Sequence, residues 1–320
     1  MSALTPLTIV AGYLGAGKTT LINRLLAQPH GKRLAVLVND FGDINIDASL
    51  IASHDGDTIS LTNGCVCCSI SDALGDALDQ VTAMVPPPDQ IVVEASGVSD
   101  PAKVAHYGLG WPGVTLDSVL TLADAETVQG RATDKFVGHL VQQQLRSADL
   151  VVLTKPDLLD EARLREVEQW AASLANGAPL VRATNGDLPA AMVLGDGGTA
   201  GPFQARQRNT AMDNSPVHGH FESVSAEFSS PIDREHFCAF ADALPPEVWR
   251  AKGLLRFSAE PEELWIFHKA GQRWSLSAHE SPSAQTSASV LICIGLEGTV
   301  DVAAIRARMD QLAVIHPPRN

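Results

Sequence analysis

Two short stretches of the chain carry residues whose types and spacing could do chemistry. Gly12-Tyr13-Leu14-Gly15-Ala16-Gly17-Lys18-Thr19 is a complete G-x-x-x-x-G-K-[ST] phosphate loop. Its glycines let backbone N–H groups turn inward around phosphate oxygens, with the positive end of the following helix behind them. Lys18 has the length to reach the β- and γ-phosphates, and Thr19 offers its hydroxyl to Mg²⁺. Gly12, Gly15, Ala16, Gly17, Lys18, Thr19 and Thr20 are therefore the expected contacts to a nucleoside triphosphate. A chance glycine-rich turn is the bland alternative, and the residues on either side argue against it. The second stretch is Cys65-Val66-Cys67-Cys68. Three thiols this close fit a soft or borderline metal such as Zn²⁺. Zinc prefers four ligands, so a His, a carboxylate or water would complete the set. An incomplete set suits a site that must release its metal. A redox pair, Cys65 with Cys68, and a purely structural zinc site are the competing readings.

The elements around these stretches follow from apolar patterning. Leu7-Thr8-Ile9-Val10-Ala11 reads as a buried strand entering the phosphate loop, and Thr20 to Leu26 as a helix leaving it, with Leu21, Ile22, Leu25 and Leu26 on one face. Leu34 to Val38 is a second strand, and it delivers the acidic segment Asn39 to Asp47. Ile91-Val92-Val93 is a strand ending in Glu94, where a carboxylate would hold Mg²⁺ or its water. Gly97 follows, placed to offer its N–H to a γ-phosphate. A solvated strand end is the plain alternative there.

A later strand, Asp149 to Leu153, delivers Thr154-Lys155-Pro156-Asp157. A carboxylate at this place accepts both N1–H and N2–H of guanine, a donor pair that adenine lacks, so Asp157 selects GTP. Lys155 would lie along the base plane. An ordinary strand–loop–helix junction, with Asp157 near a helix start, is the alternative. Helical spacing is expected over Asp72 to Met84, Lys135 to Ser147 and Asp160 to Ala175. Strands that are apolar throughout, alternating with helices, predict an α/β fold: a mostly parallel sheet covered by helices on both faces.

Composition bounds the remaining possibilities. The 320 residues suit two domains, and 45% apolar content is enough for a sizeable core. A net charge of −14 with no basic run argues against nucleic acid or an anionic membrane as partner. No apolar run approaches a membrane span, and the N-terminus has no secretory pattern, so a cytoplasmic location with reduced thiols is expected. The expected boundaries are a nucleotide-binding domain over 1–184, a Gly- and Pro-rich linker over 185–216, and a smaller α+β domain over 217–320. His218 and His220 lie at that junction as a weak candidate for further metal ligands. Cys238 and Cys293 sit in apolar elements and read as buried thiols.

Taken together, the phosphate loop, Asn39-Asp40-Phe41-Gly42-Asp43, Asn63-Gly64-Cys65-Val66-Cys67-Cys68, Glu94-Ala95-Ser96-Gly97 with Asp100-Pro101, and Thr154-Lys155-Pro156-Asp157 resemble the CobW-like GTPases in kind and order. Arg250-Ala251-Lys252-Gly253 and Ile292-Cys293-Ile294-Gly295 resemble that family's C-terminal domain, so the likeness spans nearly the whole chain. It implies a P-loop GTPase that binds zinc, cobalt or a similar divalent metal and delivers it to a metal-dependent client protein. Cys65, Cys67 and Cys68 would hold the metal. Asn39 to Asp47 and Glu94 to Gly97 would be the two switch segments, with Lys18, Glu94 and Gly97 at the γ-phosphate and Asp43 positioning the attacking water. The chain departs from the family at Asp40 and Asp43, where Glu is usual, at Thr154, where Asn is usual, and in having no His-rich linker. A homodimer is left open by the sequence. A scaffold with structural zinc and a phosphate-loop kinase of small molecules are the rival functions.

Overall fold

The computed structural model describes residues 4–38, 58–62, 70–194, 221–279, 288–296 and 298–312. The chain divides into two compact units, one built mainly from residues 2–195 and the other mainly from residues 196–320.

The first unit is a seven-stranded sheet. Its strands are β1 (Thr5–Ala11), β2 (Leu34–Val38), β3 (Thr58–Thr62), β4 (Gln90–Glu94), β5 (Val114–Asp124), β6 (Leu150–Thr154) and β7 (Leu180–Ala183). They lie in the order β3-β2-β4-β1-β5-β6-β7, and every pairing is parallel. Successive strand residues face opposite sides of a sheet. Leu7, Ile9 and Ala11 face one way and Val10 the other, and all four are buried, so both faces are covered. That is why these strands read as continuous apolar runs rather than as alternating ones.

The helices supply the cover. The first helix, α1 (Lys18–Ala27), buries Leu21, Ile22, Leu25 and Leu26. On one part of the sheet, α2 (Ile70–Thr82) and α3 (Pro101–Leu109) add Leu78, Val81 and Val104 to the core around Leu7, Ile9 and Ile91. On another, α4 (Val128–Ala132), α5 (Gly138–Arg146) and α6 (Glu161–Leu174) close over Val151 and Leu153 with Val141, Leu145 and Leu164. Capping sets where two of these helices begin. Asp100 accepts from the Ala102 N–H and Asp160 from the Arg163 N–H, each satisfying a donor that the first turn leaves open.

Sequence and structure differ in two places here. The helix expected from Lys135 starts at Gly138, because the Asp134 carboxylate draws in the N–H groups of Phe136 and Val137 and holds that segment as a turn. The unit also continues past residue 184. A single 3₁₀ turn (Thr184–Gly186) leads to α7 (Ala190–Leu194), whose Met192, Val193 and Leu194 are buried. The Gln28 side chain clamps this stretch, donating to the Leu188 carbonyl and accepting from the Ala190 N–H. Residues 185–194, expected in the linker, therefore belong to the first unit.

The second unit is a five-stranded sheet in the order β11-β10-β9-β12-β8. Its strands are β8 (Phe221–Phe228), β9 (Val248–Phe257), β10 (Glu260–Ala270), β11 (Arg273–His279) and β12 (Ser289–Leu296). The strand β12 runs antiparallel to both β8 and β9. Along β8, Val224, Ala226 and Phe228 are buried while Ser223, Ser225 and Glu227 are exposed, the alternation of a sheet packed on one face. Helices α8 (Arg234–Asp242) and α9 (Val302–Leu312) contribute Phe237, Phe240, Ile305 and Met309 to the core on that face. Phe237 meets Phe267 edge-to-face at 4.9 Å, an arrangement that the ring quadrupoles favour.

Candidate nucleotide-binding and metal site

The parallel order places every candidate nucleotide loop at the carboxyl edge of the sheet. Gly12 leaves β1 with φ of +136°, and a Cβ built on it would lie 2.2 Å from the Leu122 carbonyl oxygen. No L-residue takes that φ readily, and no side chain fits beside β5, so glycine is required. The loop then folds back on itself. Ala16 N–H donates to the Tyr13 carbonyl at 3.1 Å, and the Lys18 ammonium donates to the Gly12 carbonyl at 3.0 Å. Lys18 is buried, with its charge held across the mouth of the loop beside the N-terminal end of α1. Positive charge and open N–H groups converge there, which suits a phosphate chain.

Glu94 ends β4, the strand beside β1, and is buried. Thr19 donates its hydroxyl to Glu94 Oε1 at 2.9 Å. One hydroxyl and one carboxylate in contact form a hard-oxygen pair of the kind Mg²⁺ takes, so the residues fit that ion. Three residues on, Gly97 passes so close to the phosphate loop that a Cβ would meet Leu14 N at 2.7 Å. The position is closed to any side chain and leaves the Gly97 backbone against the loop.

On the other side, β6 carries the loop expected to meet the base. The register sets Asp124 opposite Thr154. The Thr154 hydroxyl donates to the Ala16 carbonyl at 2.9 Å, and its own carbonyl accepts from the Ala125 N–H at 3.0 Å. This threonine is thus committed to the phosphate loop rather than turned to a base. Lys155 sits at φ +53°, a left-handed conformation rare for a non-glycine residue and typical of functional loops. Its ammonium pairs with Asp124 Oδ2 at 2.7 Å. Asp157 lies on the following 3₁₀ turn (Pro156–Leu158) and is exposed, where an incoming base could reach it.

The structure thus brings together Gly12, Gly15, Ala16, Gly17, Lys18, Thr19, Glu94, Gly97, Thr154, Lys155 and Asp157 around one edge. Thr20 is in α1 behind them. Asp43, with the rest of Asn39 to Asp47, and Cys65, Cys67 and Cys68 lie outside the described residues, as do His218 and His220. Among the described residues no three His, Cys, Asp or Glu side chains are grouped to hold a metal ion. No helix among them is long and apolar enough to cross a membrane.

Three participants escaped the sequence reading. Asp124 closes an apolar strand as Glu94 does, which was a signal of the same kind. Gln143 and Gln144 reach the loop after Glu94 from α5, donating to Asp100 Oδ2 at 2.6 Å and to the Gly97 and Ser99 carbonyls at 3.2 and 3.0 Å. Gln144 falls on the apolar face with Val141 and Leu145, and a polar side chain on such a face was the available clue.

Residues 6–182 match the CobW/HypB/UreG nucleotide-binding domain, and residues 221–313 match the cobalamin synthesis protein cobW C-terminal domain. The chain belongs to the CobW/HypB/UreG family. Within it, the zinc chaperone CobW of Sinorhizobium sp is 30% identical over 347 residues, covering 96% of this chain and 97% of that protein. The zinc chaperone YjiA of Escherichia coli K12 is 28% identical over 308 residues, covering 91% and 93%. The zinc-regulated GTPase metalloprotein activator 1 of Dictyostelium discoideum is 28% identical over 321 residues, covering 85% and 67%. The family assigns the parallel sheet with its phosphate loop to the P-loop GTPases.

Proposed function

We propose that this protein is a GTP-driven zinc chaperone: it takes up a divalent metal, Zn²⁺ first and Co²⁺ as the alternative, at Cys65, Cys67 and Cys68, and releases it to a metal-dependent client. Similarity to proteins named zinc chaperones supports the class. One observation carries the coupling of nucleotide to metal. The register sets Val38 beside Thr62 on one side and beside Glu94 on the other, so β3, β2 and β4 end side by side. Neighbouring strands are ~4.8 Å apart. Cys65 follows Thr62 by three residues, at most ~11 Å of chain. The thiol motif and the segment from Asn39 thus leave the sheet within reach of the Glu94–Gly97 loop.

In this reading Lys18 and the loop amides hold the β- and γ-phosphates, and Asp157 holds guanine. Thr19 and Glu94 would hold Mg²⁺, which neutralises phosphate charge when bound. The Gly97 N–H meets the γ-phosphate, and Asp43 orients the attacking water. Loss of the γ-phosphate ends its contact with Gly97 and frees the segment from Asn39, and the thiol site changes shape with that segment.

The test is a zinc titration of the full chain, once with GDP and once with a non-hydrolysable GTP analogue. Affinities differing by tenfold or more are expected, in line with a coupling of about 1–3 kcal/mol. Equal affinities would remove the switch, since a ligand blind to the state shifts nothing. The same titration on Cys67→Ala separates a cargo site from a structural one. A folded protein with weakened zinc binding supports cargo, and an unfolded one supports a scaffold.

A further inference from the structure

The loop Ser96–Asp100 is built to hold one shape. Ser99 closes it as a turn, its N–H and its hydroxyl both donating to the Ser96 carbonyl at 2.9 and 2.7 Å. Asp100 ends it as the cap of α3. What anchors this turn to the rest of the unit is α5. Gln144, only 2% exposed, spends both side-chain N–H groups on the loop, one on Gly97 O and one on Ser99 O. Those carbonyls belong to the Gly97–Val98 and Ser99–Asp100 peptides, so the two bonds fix two peptide planes of the loop that begins at Gly97. Gln143 adds a bond to Asp100, and the Thr121 hydroxyl donates to the Gln144 carbonyl, tying this turn of α5 to β5. Gln144 also lines a small cleft with Tyr13, Leu14 and Arg131, so it stands behind the phosphate loop as well as behind Gly97.

We propose that Gln144 is a positioning residue for GTP hydrolysis, latching the Gly97 loop against Leu14 so that the Gly97 amide is aimed before the γ-phosphate arrives. The proposal rests on the reading that Gly97 serves the γ-phosphate. Amides that are already aimed stabilise developing charge without reorganising, and that is where their catalytic value lies. Gln144 touches no substrate. Its effect passes through the loop, and GDP, which has no γ-phosphate, is indifferent to it.

The experiment compares Gln144→Met and Gly97→Ala with the unmodified full chain. It measures kcat at saturating GTP, the Kd for GDP, and the melting temperature. Gln144→Met keeps the length of the side chain and removes both donors. Its kcat should fall about tenfold, less than the roughly 10²–10³ lost when such a donor is removed outright, while the GDP Kd stays within twofold. A general loss of structure would weaken both together. A wild-type kcat in Gln144→Met, with Gly97→Ala impaired, overturns the latch alone. A wild-type kcat in Gly97→Ala overturns the γ-phosphate role of the loop and the latch with it. Should Gln144→Met not fold, Gln144→Asn keeps a polar amide but is one methylene too short to reach the Gly97 and Ser99 carbonyls. A lower kcat with unchanged GDP Kd supports the latch, and an unchanged kcat overturns it.

Discussion

The Thr154 hydroxyl donates to the carbonyl of Ala16 at 2.9 Å, so the end of β6 holds the floor of the phosphate loop. Both are buried where they meet. Replacing Thr154 by Val keeps the shape and strands the Ala16 carbonyl. That should cost about 1–3 kcal/mol of stability, the penalty for a buried acceptor without its donor. GDP should also leave faster, because the two loops that enclose it are no longer fastened. Thermal melts and the release rate of a fluorescent GDP analogue measure the two effects.

In the proposed function Asp157 decides the base. Its carboxylate can accept from both N1–H and N2–H of guanine, and Asn can accept only one bond while presenting a donor to the other. Asp157→Asn should weaken GTP binding about 10- to 100-fold, as loss of a charge-assisted bond implies. Xanthosine triphosphate, with a carbonyl in place of the amino group, should gain relative to GTP. Competition binding with both nucleotides and ATP reads this directly. Undiminished GTP preference in the variant would return Asp157 to an ordinary turn residue.

Gly12→Ala sets a methyl group 2.2 Å from the Leu122 carbonyl oxygen in a conformation hostile to alanine. Strain and overpacking together should cost about 3 kcal/mol or more. The urea midpoint should fall accordingly, and nucleotide binding should be lost even in the folded fraction.

Much of the fold that carries the candidate site was legible in the sequence. Strands buried on both faces announce themselves as apolar runs, and Leu34 to Val38 and Gln90 to Glu94 fall where the runs do. Loops that bind phosphate need backbone geometry, so their glycines are written into the chain. What escaped were relationships between distant residues. The pairing of Lys155 with Asp124 depends on the β5–β6 register, and the Gln144 bonds depend on how α5 packs. A sequence shows residue types along one dimension, and these contacts join positions about 30 to 47 residues apart. Thr154 illustrates the same limit. Its departure from the usual Asn reads as a lost contact, and the fold gives its hydroxyl a partner.

Cys293 supplies a pH test. Burial pushes its thiol from the ordinary 9.0 up to about 12, partly offset by Lys269. A group whose folded pKa is raised contributes stability that is whole below its unfolded value. That contribution is lost as pH climbs from about 9 toward 12. Melting temperature should therefore fall less steeply above pH 9 in Cys293→Ala than in the unmodified chain. Below pH 8 the thiol stays neutral and should ignore both zinc and thiol reagents, so a zinc titration there reads other residues.

The central place of β1 has a consequence for how the protein comes into being. Leu7 pairs with Ile91, and Ala11 with Thr121. During synthesis β1 therefore waits for partners made about 80 to 110 residues later. At ~5–20 residues per second that is a delay of roughly ten seconds. Until then Gly12 has no β5 to lie against and Thr19 no Glu94 to meet. The nascent chain is blind to nucleotide until then, and GTP can help to hold the fold only after β5 has been synthesised.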